Sequence, residues 1–237
     1  MSELLKLSGL WGGYKEGVDI LRGIDLVLQE GQAMGVIGLN GSGKSTLGKA
    51  IMNMIPIRKG GLYFTGEDIS SLSTFEISRK GVSIMQQGGQ VFQNLSVWDN
   101  LEIAFSSGNV EVFEQLKEIV PILQRPKHFL QSLMADKLSG GQKHQLSLAM
   151  TLASQPRLII LDEPSAGLSP KAIEEMYDIL YAVKEKLNVT ILLIEQNISK
   201  ALQFCDTSIV IQNGTIDNFL DSSSSNNIED MFFVKSN

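Results

Sequence analysis

The stretch Gly38-Leu39-Asn40-Gly41-Ser42-Gly43-Lys44-Ser45-Thr46 constrains this chain more than any other. It satisfies the pattern G-x-x-x-x-G-K-[ST], and its surroundings suit it. Ahead of it, Gln32-Ala33-Met34-Gly35-Val36-Ile37 is a short apolar run of strand type; behind it, Thr46-Leu47-Gly48-Lys49-Ala50-Ile51-Met52 reads as a helix. A strand, a glycine-rich turn and a helix start, in that order, make an anion site. Glycines let successive N–H groups point inward, and the helix dipole adds partial positive charge. The pattern predicts a site for a nucleoside triphosphate. Lys44 would reach the β- and γ-phosphates, Ser45 would hold Mg²⁺, and Thr46 would touch the α-phosphate.

The chain has 237 residues, 43% of them hydrophobic, enough to bury the core of one large domain or of a domain with a subdomain. Its formal charge of −6 argues against a nucleic-acid partner, which needs a basic surface. The single cysteine, Cys205, excludes an internal disulfide framework and, within Ala201-Leu202-Gln203-Phe204-Cys205, reads as a buried structural thiol. No apolar run approaches the roughly 18–20 residues of a membrane span. Met1-Ser2-Glu3-Leu4 lacks the basic start of a signal peptide, so a soluble, cytoplasmic chain is expected.

Strands are predicted over 4–10, ended by Trp11-Gly12-Gly13-Tyr14, and over 21–28, 62–64 and 82–85, with Pro56 and Lys59-Gly60-Gly61 breaking the pattern before the third. From 87 to 153 the texture turns helical, with segments over 97–105, 110–120 and 142–152 punctuated by Gly108, Pro121 and Pro126. This reads as a helical subdomain inserted into an α/β core of residues 1–86 and 154–220. In the last segment Leu146, Ala149, Met150 and Ala153 form one apolar stripe, which would leave His144 on the exposed face. Ser169 can cap a further helix with Pro170 at its first position and Ile173, Met176, Tyr177, Leu180 and Leu187 buried. A strand over 190–194, a helix over 198–204 and a strand over 208–212 follow, then the hairpin signal Asn213-Gly214. Residues 221–227 read as a polar linker in a tail over 221–237, in which Met231-Phe232-Phe233-Val234 is able to dock.

Two further motifs carry chemistry. Leu158-Ile159-Ile160-Leu161-Asp162-Glu163 is an apolar strand ending in two carboxylates, and acidic groups there project into the crevice where a nucleotide lies. Asp162 would bind Mg²⁺ through water, and Glu163 would orient or deprotonate the water attacking the γ-phosphate. Leu138-Ser139-Gly140-Gly141-Gln142 stands before a helix and offers either a second anion site or a plain loop with an N-cap.

The phosphate loop, L-S-G-G-Q and I-I-L-D-E-P, in this order, resemble the ATP-binding-cassette (ABC) ATPases over nearly the whole chain. The resemblance implies an α/β phosphate-loop ATPase core with an antiparallel β subdomain and an inserted α-helical subdomain. It implies ATP and Mg²⁺ as cofactors and a second cassette as partner, in a homodimer or a paralogous heterodimer packed head to tail. Ser139, Gly140, Gly141 and Gln142 of one cassette would then complete the site around Lys44 of the other. Tyr14 matches the aromatic residue on which adenine stacks. Gln87, with Gln86 as runner-up, matches the glutamine that links the Mg²⁺ and water site to the helical subdomain. Glu163-Pro164-Ser165-Ala166-Gly167-Leu168-Ser169-Pro170 and Glu195-Gln196-Asn197 resemble the ATPase subunits of branched-chain amino-acid importers.

Three positions depart from the broad family. Ser169 stands where an aspartate is usual, Gln196 replaces the switch histidine, and Lys143-His144-Gln145 replaces glutamines followed by arginine. Glutamine can donate a hydrogen bond to a γ-phosphate but carries no charge, and retained activity is expected. His128 and His144 lack an orienting partner in the sequence and read as non-catalytic. Trp98 lies where such ATPases meet their membrane subunits, and packs there or in the core. The resemblance implies separate integral membrane permeases, an indirect substrate-binding protein, and a place on the inner face of the cell membrane. Competing readings are a urea or amide importer, a lipid exporter, and a soluble ABC ATPase acting on ribosomes or DNA.

Overall fold

The computed structural model describes residues 2–105 and 110–221. The chain opens with β1 (Glu3–Gly12), β2 (Leu21–Gln29), β3 (Ala33–Ile37), α1 (Lys44–Ile51), β4 (Ile57–Phe64) and β5 (Glu67–Asp68). It continues through α2 (Thr74–Arg79), β6 (Val82–Met85), α3 (Val97–Ala104), α4 (Val110–Ile119), α5 (Lys127–Ser132) and α6 (Gly140–Leu152). The last elements are β7 (Leu158–Asp162), α7 (Pro170–Leu187), β8 (Thr190–Glu195), α8 (Ile198–Phe204), β9 (Thr207–Gln212) and β10 (Thr215–Asp221). These fall into two compact units, one built from the chain up to Ser70 and from Leu192 onward, the other from Ser71–Ile191.

The first unit holds two groups of strands. One is an antiparallel sheet in the order β2-β1-β4-β5, the β subdomain expected from the resemblance. The other runs β10-β9-β3-β8, with β9 parallel to β3 and β10 folded back on β9 through the Asn213-Gly214 turn. β3 is buried at all five positions, with Val36 and Ile37 fully shielded from solvent. Each such aliphatic side chain stabilises the fold by about 1.5–3 kcal/mol, and this anchors the strand from which the phosphate loop springs. Cys205 is buried, as its context predicted.

The second unit contains the helices α2 to α7 and the parallel pair β6 and β7. The described residues of the expected helical block 87–153 belong to this unit, which also takes in α2, β6, β7 and α7. β7 is buried along its length, and its neighbourhood is closed by Arg157 and Leu158 donating to the Gly81 carbonyl. α7 starts as predicted, with Ser169 accepting from the Ala172 N–H and Pro170 in the first turn. Trp98 on α3 is half-buried, edge-on to Phe113 and beneath the Lys127 ammonium.

Local differences from expectation have local causes. β1 runs on through Gly12, and β4 begins at Ile57, so Lys59-Gly60-Gly61 lie inside a strand rather than breaking one. The pairing of β1 with β4 shifts register between Ser8 and Trp11, and Gly60 sits at that irregularity with φ +87°. A Cβ on Gly60 would stand 2.2 Å from the Gly9 carbonyl oxygen, so glycine here admits a close approach within the sheet. α2 was missed because it is six residues long with only Ile77 buried; a capping box between Ser73 and Glu76 holds it. Of the predicted tail over 221–237, Asp221 instead ends β10, and the rest, with its docking segment, lies outside the described residues, as does Gly108.

Candidate functional site

In the first unit β3 ends at Ile37, and the chain turns through Gly38–Gly43 into α1. Gly38 has φ +155°, and a Cβ there would lie 2.3 Å from the Ile211 carbonyl oxygen. The loop can pass β9 only without a side chain at that point. Gly43, at φ +113°, precedes α1 and, having no side chain, makes no N-cap hydrogen bond to it. Lys44 is buried; its Nζ donates to the carbonyls of Gly38 (2.8 Å) and Leu39 (2.9 Å). A buried ammonium satisfied by the loop it belongs to can exchange those carbonyls for phosphate oxygens at little desolvation cost. The Ser42 hydroxyl is buried within the loop and has no hydrogen-bond partner among the described residues. A helix start led by glycine, a folded-back lysine and an orphan hydroxyl form a cradle that suits a phosphate chain. Asn40 and Gly41 are exposed at its tip, Ser45 is half-buried and Thr46 buried on α1.

Tyr14 is exposed, with the Lys49 ammonium 5.6 Å from its ring centroid, so its face is available to a flat ligand and already polarised by a cation. Gln196 is exposed just beyond β8. Glu195, buried beside it, accepts from the backbone N–H groups of Gln196 (3.0 Å) and Asn197 (3.3 Å) and so fixes the turn that presents Gln196. The sequence signal for this role is a carboxylate that ends an apolar strand just before a helix cap.

In the second unit Asp162 ends β7 and is 3% exposed. Glu163 follows with φ +51°, a left-handed conformation that costs a non-glycine residue about 1–3 kcal/mol and is concentrated at functional sites. Its carboxylate, also buried, accepts from the Gln87 Nε2 at 2.8 Å. Ser139 is the N-cap of α6: its Oγ accepts from the Gln142 N–H at 3.3 Å, and the Gln142 side chain accepts from the Ser139 N–H at 3.0 Å. Ser139, Gly140 and Gln142 are nonetheless exposed, with Gly141 half-buried.

One reading is corrected. His144 is buried, 4% exposed, and not on the outer face of α6, because this helix is covered on nearly every side from His144 to Ala149. Its Nδ1 lies 2.7 Å from the Pro164 carbonyl oxygen. Gln145, which the sequence placed in the same run of departures, is buried too and accepts the Ile122 N–H. His128 is exposed.

A sequence pattern described as ABC transporter matches residues 21–166, more than half of the chain and inclusive of the phosphate loop, the Ser139 turn and Asp162-Glu163. The chain is an ABC transporter ATPase. The cassette is 33% identical over 90% of its length to the "Probable branched-chain amino acid transport ATP-binding protein LivF" of Archaeoglobus fulgidus, covering 90% of that protein. It is 30% identical over 86% of its length to the "High-affinity branched-chain amino acid transport ATP-binding protein BraG" of Pseudomonas aeruginosa, covering 87% of it. Its fold matches a nucleotide-free ATP-binding cassette from an ABC transporter with a TM-score of 0.83 at 25% identity, over 97% of this chain and 96% of that one. The ABC cassette binds ATP and hydrolyses it as the ATPase subunit of a transporter. Among the described residues no helix is long and apolar enough to cross a membrane.

Proposed function

We propose that this cassette drives an importer of branched-chain or related amino acids through separate membrane permease subunits. The observation that carries the cargo class is its likeness, over nearly the whole chain, to two proteins named for branched-chain amino acid transport. The runs Glu163–Pro170 and Glu195–Asn197 point the same way. Two cassettes pair head to tail, as homodimer or paralogous heterodimer, so that each ATP lies between the Lys44 side of one and the Ser139 turn of the other. The pair sits on the inner face of the membrane, and a substrate-binding protein meets the permease from the far side.

In this reading Tyr14 stacks on adenine, and the amides of Gly38–Gly43 with the Ser42 hydroxyl hold the phosphates. The Lys44 ammonium moves from the Gly38 and Leu39 carbonyls onto the β- and γ-phosphates. The Ser45 hydroxyl and the Asp162 carboxylate are oxygen donors of the kind Mg²⁺ takes alongside nucleotide and water, and the ion supplies neutralising charge on the phosphates. Glu163 accepts a hydrogen bond from the attacking water. Gln87 fixes one oxygen of that carboxylate, which sets the direction in which the other presents itself. The Gln196 amide donates to the γ-phosphate without adding charge.

Uptake of labelled leucine in a strain lacking the chain tests the cargo class. Uptake should be lost, restored by the wild-type chain, and not restored by Lys44→Ala, which should also abolish ATP turnover. Unchanged leucine uptake alongside lost methionine uptake or lost lipid export would refute the assignment.

A further inference from the structure

We propose that His144 is a positioning residue for ATP hydrolysis, clamping the Pro164 carbonyl and thereby holding Glu163 in place. The inference deepens the reading above and rests on Glu163 as the carboxylate that orients water.

The contacts form a closed ring within the second unit. The Gln87 amide donates to the Glu163 carboxylate at 2.8 Å. The next residue, Pro164, turns its carbonyl onto the His144 Nδ1 at 2.7 Å. His144 in turn lies under Gly89, two residues beyond Gln87. A Cβ on Gly89 would stand 2.3 Å from the His144 Cδ2 and 3.0 Å from its backbone nitrogen. Gly88 and Gly89, at φ +90° and +59°, let the loop press onto α6 at that point. One imidazole, rooted in the helix that begins at Ser139, thus touches both segments that bear the Gln87–Glu163 bond.

Physical need supports the clamp. Glu163 holds a left-handed backbone, which persists only when its surroundings over-determine it. The Ala166 N–H donates to the Glu163 carbonyl at 3.1 Å and holds the turn from beyond. His144 holds the peptide between. A carbonyl can only accept, so Nδ1 carries the proton, and burial excludes water as a substitute partner. Displacing a reacting group by about 1 Å can cost on the order of a hundredfold in rate. Loss of the clamp should therefore appear in kcat and not in ATP binding.

The test uses the full chain in its assembled transporter. Glu163→Gln is the control for the underlying reading: it should bind ATP and not turn it over, and an active Glu163→Gln chain would overturn that reading itself. His144→Leu should lower kcat about ten- to a hundredfold, with KM for ATP within about twofold of wild type. His144→Asn places an amide nitrogen where Nδ1 stood and should recover most of the rate. A His144→Leu chain that turns over normally, or an Asn variant no better than Leu, overturns the inference while Glu163→Gln remains inactive. Should the Leu variant not fold, the wild-type chain decides. It has two histidines, so ¹⁵N-histidine spectra distinguish their tautomers readily. A neutral His144 protonated only at Nε2 overturns the clamp.

Discussion

Ser139 is offered two roles, helix cap and phosphate ligand of a partner cassette, and they separate in one experiment. As a cap, its Oγ accepts the Gln142 N–H at a long 3.3 Å on an exposed turn, and the reciprocal bond from the Ser139 N–H to the Gln142 side chain does not involve the hydroxyl. Ser139→Ala should therefore cost only about 0.5–1 kcal/mol of stability, a fall in Tm of about 1–4 °C. As a ligand, the hydroxyl donates to a charged phosphate, worth about 1.5–3 kcal/mol, so ATP turnover should fall about 10- to 150-fold. Ser139→Asp sharpens the contrast. Aspartate caps well, and α6 has no acidic residue in its first turn, so Tm should hold or rise. The same carboxylate repels a triphosphate, and turnover should collapse. The assay pairs thermal melts with ATP hydrolysis in the assembled transporter. An active Ser139→Asp chain, or an Ser139→Ala chain whose turnover falls less than about threefold, would show that Ser139 is a cap and nothing more.

Two further outcomes follow from buried or short contacts. Asn100, fully buried on α3, binds the Phe92 N–H through Oδ1 and the carbonyls of Phe92 and Ser96 through Nδ2. Both carbonyls retain backbone donors, but the Phe92 N–H loses this acceptor, so Asn100→Ala should cost about 2–4 kcal/mol in urea unfolding; an unchanged midpoint would refute this account of the turn. The Glu76 carboxyl lies below its ordinary pKa because the Ser73 hydroxyl and N–H both donate to it. The fold thus favours the charged form, so this support for α2 is present above the unfolded carboxylate pKa and lost as pH falls through the lowered, folded one. An NMR titration should place the Glu76 midpoint below the usual glutamate range, and Ser73→Ala, which removes the hydroxyl and keeps the N–H donor, should move it only part of the way back.

Local features are legible in adjacent residues: the phosphate loop between β3 and α1, the apolar β7 closing on Asp162, the Ser169-Pro170 start of α7, the hairpin at Asn213-Gly214. Each is written in a few adjacent residues whose backbone preferences agree, and the order of the motifs was enough to identify the family. Tertiary structure alone decided the rest. The bond between Gln87 and Glu163 joins residues 76 apart, which no spacing rule reaches. The strand through Lys59-Gly60-Gly61 exists because a neighbouring strand, not a local turn, uses its glycines. His144 looked like a surface residue because a helical stripe marks only one buried face, whereas α6 is enclosed from several sides by chain distant in sequence. Periodicity records one interface of a helix; burial is the sum of all of them, and that sum is fixed only when the chain has folded.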